Sequence, residues 1–293
     1  MPVPSARLVA IQARTLAAAI AGGYVAHLLH VPLAWMIGAM VAVAAVAFTG
    51  REVAAIALAR PVSMLVLGTA LGQAYTPPVL RALASSLPAL IVAGLREATP
   101  GIPVIAEEEI AAGRVERPGE RFWLVDPLDG TREFAVGRDE FAVCIGLIDH
   151  GRPVLGAVAL PATGELFLGI PGEGAWKQDA AGRRPIAARR PPPDGLTVFA
   201  SRHLADDPRL ARYLNGQPVA RLVNAGSALK FCRVADGTAD LYPRFGRTME
   251  WDTAAAQAVV EAAGGSVRTA DGAPLAYGKP GFANPDFLCR GVM

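Results

Sequence analysis

Two carboxylates three positions apart, Asp126 and Asp129, stand in the string Asp126-Pro127-Leu128-Asp129-Gly130-Thr131, directly after the apolar run Phe122-Trp123-Leu124-Val125. The pattern reads as a strand ending in a turn. Pro127 fixes its own φ, so both Asp side chains and the Leu128 carbonyl can point at one place, an all-oxygen donor set of the kind Mg²⁺ prefers. Gly130 permits a backbone conformation closed to other residues, and the N–H groups after it can receive a phosphate oxygen. Metal and anion sites side by side suit phosphate-ester hydrolysis, in which one cation generates hydroxide and a second steadies the leaving oxygen. The alternative is a polar strand-to-helix turn in which Asp caps a helix and Gly-Thr is loop chemistry.

Other chemistry-bearing residues lie at the ends of predicted elements. The short strand Val104-Ile105-Ala106 delivers Glu107-Glu108-Glu109, which reads alone as a solvated acidic turn. Val198 to His203 is a strand ending in polar residues, the place where a parallel strand presents side chains to a ligand crevice. In Asn224 to Cys232 a Gly-Ser helix start is followed by a Lys one turn in, so Ser227 and Lys230 either grip an anion or, for Ser227, only cap the helix. Asp252 begins the Ala-rich helix that stops at Ala263-Gly264-Gly265, and could be an N-cap. Between these, the runs 140–148, 153–160, 165–169 and 174–177 alternate with Gly-rich turns and predict an antiparallel sheet laid down by hairpins. His150 reads as a turn residue.

The chain has 293 residues and a net charge of +2, but the charge is unevenly spread. Residues 1–95 hold five Arg, one Glu and no Lys or Asp. From Thr15 to Gly50 no charged residue occurs, with a break at His30-Val31-Pro32, which allows two spans of about 18 residues each in a bilayer. A third candidate runs from Pro61 to Tyr75, and a shorter fourth from Ala82 to Leu95. The alternative is a set of helices buried in a soluble core. Arg7 and Arg14 before the first span and Arg51 and Arg60 after the second place both regions on the cytoplasmic side, so the fourth segment must cross or re-enter to return the remainder there. Cys144, Cys232 and Cys289 form no C-x-x-C pair and suggest reduced thiols. Without basic clusters interleaved with aromatics there is no case for a nucleic-acid partner. Nothing in the sequence sets an oligomeric state.

The string Asp126 to Thr131, with Trp251-Asp252-Thr253-Ala254-Ala255 and Ala263-Gly264-Gly265 in the same order, resembles the inositol monophosphatase superfamily, Mg²⁺-dependent and lithium-sensitive phosphomonoesterases. The stretch Gly226 to Cys232, together with Leu241 to Gly246, resembles its CysQ-type branch, which removes the 3′-phosphate of adenosine 3′,5′-bisphosphate. The resemblance covers about residues 90–290 and implies an α+β layered sandwich, αβαβα. It also implies a Mg²⁺ cofactor, a nucleotide bisphosphate substrate, metal ligands Glu107, Asp126, the Leu128 carbonyl, Asp129 and Asp252, and catalytic roles for Glu107 and Thr131. Substrate contacts implied are Glu107, Leu128, Asp129, Gly130, Thr131, Ser227, Lys230 and Asp252; His203 falls one residue short of the family's His. Val31 to Met40 and Leu67 to Gln73 resemble part of the AbrB-type bacterial membrane proteins.

The expected organisation is therefore an apolar membrane-type helical segment, 1–89, and a phosphatase domain, 90–293, divided into a metal-site half (90–195) and a substrate-side half (196–293). The domain is expected to be N-terminally truncated. The superfamily begins with about two helices and a K-x-D-x-S-P-V-T-x-A-D segment, whereas this chain has no Lys before Lys177 and no Asp before Asp126. The Asp that would pair with Thr131 to orient water is thus missing, and loss of a general base removes ~10²–10⁴ in rate. The expected location is a bacterial inner membrane, bound through residues 1–95 with the catalytic part in the cytoplasm, or the cytoplasm itself if the first segment is foreign to the protein. The alternative functions are an inositol-1-phosphate-type phosphatase and a non-catalytic, membrane-bound nucleotide sensor.

Overall fold

The computed structural model describes residues 6–29, 41–43, 45–46, 48–49, 77–114 and 117–292. Two compact units divide the chain, Met1–Arg81 and Ala82–Met293. In the first, α1 (Ala6–Leu28) is an Ala-rich helix of 23 residues. Its stretch Arg7–Leu28 is, among the described residues, the one helix long and apolar enough to cross a membrane. The expected third span, Pro61 to Tyr75, lies outside the described residues, as do most of the second and the two stretches that carry the AbrB-type resemblance.

The expected fourth span falls inside α2 (Pro77–Ala98), which opens on Pro77-Pro78 as a helix start allows. The expected domain boundary at 89/90 also falls within this helix. Its C-terminal half is one-sided. Val92 is buried and Ile91 and Leu95 pack with it against Val104, Trp123 and Val125, a spacing that covers a sheet with one helix face.

The second unit continues with β1 (Val104–Ala106), α3 (Glu107–Ala111), β2 (Arg121–Asp129) and α4 (Thr131–Ala135). Five strands follow, β3 (Ala142–Asp149), β4 (Arg152–Leu160), β5 (Glu165–Ile170), β6 (Gly174–Asp179) and β7 (Gly182–Ile186). Together β1 to β7 form one sheet in sequence order, parallel between β1 and β2 and antiparallel elsewhere. Next come β8 (Leu196–Ser201), α5 (Pro208–Leu214), β9 (Val219–Ala225), α6 (Leu229–Ala235), β10 (Leu241–Arg244) and β11 (Thr248–Met249). The chain ends with α7 (Ala254–Ala262), β12 (Ser266–Thr269), β13 (Ala283–Asn284) and β14 (Phe287–Arg290). The second sheet has the order β12-β14-β10-β8-β9, and β11 pairs with β13.

Strand periodicity assigns the faces of the first sheet. Trp123 and Val125 face α2, whereas Phe122 and Leu124 join Cys144, Val158 and Phe167 in the main core with α6, α7 and the second sheet. The layers are α2, sheet, α6 with α7, sheet, and α5, whose Leu210 borders Ala200 and Pro243. This is the α+β layered sandwich expected from the sequence. The α2 face is less fully covered, since Ile145, Leu147 and Leu155 are only partly buried.

Candidate active site

Residues three apart in a regular strand point to opposite faces, yet Asp126 and Asp129 share one. Asp126 pairs with Cys144 and Asp129 with Ala142, so Pro127 and Leu128 together face Val143 and form a bulge. Pro127 suits that place because it has no N–H to give to the ladder. The Leu128 N–H, released from the sheet, donates to Asp126 Oδ1 at 2.9 Å. Gly130 then takes φ 88° and ψ 37°, and a Cβ there would lie 2.8 Å from the Glu140 carbonyl, so both conformation and space require glycine. Thr131, at the start of α4, donates from Oγ1 to the Leu128 carbonyl at 3.0 Å.

Asp252 closes a short 3-10 turn ahead of α7, and its Oδ2 accepts the Met249 N–H at 2.8 Å. Carboxylate oxygens of Asp126, Asp129 and Asp252 lie within 4.8 Å of one another. Glu107 arrives by the parallel pairing of β1 with β2: Ala106 stands opposite Val125, so the next residue comes level with Asp126, whose side chain it meets.

Crowding of these acids shows in their proton affinities. Burial, then the charges of Asp129 and Glu107, push Asp126 up to about 10. Burial and Asp129 push Asp252 up to about 7. Burial also raises Glu107 and Asp129, although Ser227 and Lys230 oppose the rise at Asp129. Like charges packed in a poorly solvated place are in conflict unless protons or a cation come between them. An all-carboxylate donor set of this kind fits a hard divalent cation.

Asp129, Gly130, Ser227, Lys230 and Asp252 line one cavity of about 150 Å³. Asp126, Glu107, Leu128 and Thr131 do not line it; they belong to the bulge and the strand ends beside it. Ser227, at φ 54°, donates from Oγ to Asp129 Oδ2 at 2.6 Å, and the Ala228 N–H reaches the same oxygen at 2.5 Å. Lys230 is buried and donates to the Ser227 carbonyl at 2.5 Å and the Ala225 carbonyl at 3.2 Å, with burial lowering its pKa to about 8. Ser227 is therefore not the cap of α6, a place taken by Ala228, but the residue that fastens Asp129, and Lys230 fixes the turn that carries it.

Further groups line the cavity, among them Glu133 and Thr248, which the sequence did not single out. Arg244 donates to Ser201 Oγ at 2.7 Å and to the Arg247 carbonyl at 2.9 Å. His203, despite its shifted position, lines the cavity, with Nε2 2.8 Å from Oε1 of the buried Glu133. Glu133 also packs on Gly226, where a Cβ would lie 2.6 Å from its Cγ. Glu133 follows Gly130-Thr131-Arg132 and so lay next to residues already marked, and Arg244 lies within the marked stretch Leu241 to Gly246; Thr248 gives no signal of its own. The cavity thus carries acids, Asp129, Glu133 and Asp252, and cations, Lys230 and Arg244, side by side, with His203 beside Glu133. It can bind a divalent cation and a polyanion together.

Residues 79–287 match the inositol monophosphatase family. The 3′(2′),5′-bisphosphate nucleotidase CysQ of Escherichia coli (strain K12) is 45% identical over 201 residues, 68% of this chain and 79% of that protein. Its counterpart of the same name in Buchnera aphidicola is 40% identical over 209 residues, 69% of this chain and 77% of that one. Among solved structures, CysQ from Bacteroides thetaiotaomicron superposes with a TM-score of 0.61 at 36% identity, covering 69% of this chain and 80% of the other. An inositol monophosphatase from Anabaena gives a TM-score of 0.58 at 28% identity, with 70% and 79% covered.

Proposed function

The chain belongs to the inositol monophosphatase family and is a phosphatase of it, and we propose that it removes the 3′-phosphate of adenosine 3′,5′-bisphosphate, giving AMP and phosphate. The observation that carries this reading is a cavity lined by both Asp129 and Asp252 of the acidic cluster and the cationic Lys230 and Arg244. A substrate with a second phosphate can engage the metal cluster and these cations together, whereas inositol 1-phosphate has only one phosphate to offer. The likeness to 3′(2′),5′-bisphosphate nucleotidases points the same way.

Glu107, Asp126, the Leu128 carbonyl, Asp129 and Asp252 are the proposed ligands of Mg²⁺. When bound, the cation supplies a nucleophile at neutral pH and neutralises charge on the leaving oxygen. The chain's own groups position. The bulge turns Asp126 and Asp129 to one side, and Ser227 with the Ala228 N–H holds Asp129 in place. Gly130 brings the backbone close to the cavity, while Thr131 fixes the Leu128 carbonyl. Arg244 and His203 receive the phosphate that is not cleaved.

The test is phosphate release by the purified full-length chain from adenosine 3′,5′-bisphosphate and from inositol 1-phosphate, with Mg²⁺ and with a chelator. Mg²⁺-dependent release with preference for the bisphosphate is expected. Preference for inositol 1-phosphate would replace the substrate, and binding of the bisphosphate without release would favour the sensor reading. For α1 the proposed role is a membrane anchor that keeps the catalytic unit at the cytoplasmic face of the inner membrane, supported by its length and apolar composition. Release of the protein by alkaline carbonate would refute that anchor.

A further inference from the structure

Thr248 opens β11 and pairs with Asn284 across the ladder. Its side chain lines the cavity and is 8% exposed, and its Oγ1 has no hydrogen-bond partner. Arg244 lines the same cavity, and its Nε is likewise buried and unpartnered although its other two nitrogens are committed to Ser201 and the Arg247 carbonyl. Buried polar groups in folded proteins are almost always paired, so two orphans in one cavity call for a common partner. Arg Nε–H can only donate, while a hydroxyl can donate as well. An oxyanion satisfies both at once. Asp129 and Asp252 line the same cavity, so an anion beside them meets like charge unless a cation lies between.

We propose that the Thr248 hydroxyl donates a hydrogen bond to the phosphate of the substrate that is not cleaved, sharing that oxyanion with Arg244 Nε–H. This rests on the bisphosphate reading above and makes Thr248 a specificity-determining residue. Charge-assisted hydrogen bonds are about twice as strong as neutral ones, so the contribution is large enough to read kinetically.

The experiment uses full-length wild-type, Thr248→Val and Thr248→Ser proteins in saturating Mg²⁺. It measures kcat and KM for adenosine 3′,5′-bisphosphate, and inhibition by AMP, which carries only the uncleaved phosphate, and by inorganic phosphate. Thr248→Val is nearly isosteric and lacks only the hydroxyl. It is expected to raise KM and the AMP inhibition constant about tenfold, with kcat and inhibition by inorganic phosphate unchanged, and Thr248→Ser is expected to keep wild-type values. An AMP inhibition constant that does not move, or an equal loss toward inorganic phosphate, would overturn the assignment. Should the Val variant lose its cooperative thermal transition, Thr248→Ala carries the same comparison. A wild-type protein that releases no phosphate under these conditions would instead overturn the catalytic reading on which the assignment rests.

Discussion

Gly156 and Ala255 approach so closely that a Cβ on Gly156 would stand 2.0 Å from the Ala255 carbonyl oxygen. Gly146, Gly156 and Gly169 lie opposite one another on β3, β4 and β5. Cβ atoms at Gly146 and Gly169 would also fall within 2.7 Å and 2.5 Å of the α7 backbone. The row is a groove into which the helix sinks. Asp252 stands three residues before Ala255 and Asp126 lies on the neighbouring strand β2, so the groove sets how near these two carboxylates come.

Gly156→Ala is therefore expected to push α7 away from the sheet. A cost of about 1–3 kcal/mol or more in urea unfolding is expected, together with weaker Mg²⁺ binding by calorimetry. Unchanged metal affinity in a folded variant would show that the groove does not set the spacing.

The crowded acids predict an unusual pH dependence. Asp126 and Asp252, raised to about 10 and about 7, both lie above the ~3.9 of Asp in an unfolded chain. Folding thus favours their protonated forms. That contribution is complete below about pH 3.9 and is lost as pH rises through the folded values, near 7 for Asp252 and toward 10 for Asp126. Metal-free protein should lose thermal stability as pH rises from neutral, and Mg²⁺ should restore more at high pH than at low. Asp126→Asn keeps an acceptor for the Leu128 N–H and needs no proton uptake on folding, so its metal-free melting temperature should equal or exceed that of wild type. The same variant should lose the Mg²⁺-induced shift and roughly a thousandfold in phosphate release, several kcal/mol of charge stabilisation being at stake. A metal-free protein that gains stability with rising pH would contradict the crowding.

Glu250 stands two residues before Asp252 in the same short 3-10 turn. It is fully buried and accepts the Gly278 N–H at 2.7 Å, the Lys279 N–H at 2.9 Å and the Lys279 ammonium at 2.8 Å. Glu250→Ala leaves the Gly278 and Lys279 N–H groups unmatched, although the Lys279 ammonium keeps the Ala276 carbonyl and Asn284 Oδ1, and is expected to cost about 1–3 kcal/mol, read by chemical denaturation. A loss within 1 kcal/mol would mean that the network carries little of the fold.

Much of the catalytic unit could be read from sequence because short-range patterns encode it. The Asp126 to Thr131 string, the strands from β3 to β6 and the Asp252 helix each announce themselves within a few residues. What stayed hidden is long-range. The bulge that turns Asp129 beside Asp126 depends on pairing with β3, and Glu107 reaches Asp126 only through the register of β1 on β2. Arg244, Glu133 and Thr248 line one cavity although they come from β10, α4 and β11, and no local spacing reports that. In α2, charge depletion suggested a membrane span, while only the sheet shows that Ile91, Val92 and Leu95 form a one-sided stripe.

Anomalous diffraction from crystals of the full-length protein grown with Mn²⁺, an oxygen-seeking stand-in for Mg²⁺, tests the metal site most directly. The account predicts density for the ion bounded by the carboxylates of Asp126, Asp129 and Asp252. Density elsewhere, or a saturating ion concentration that leaves these three carboxylates without a cation between them, would contradict it.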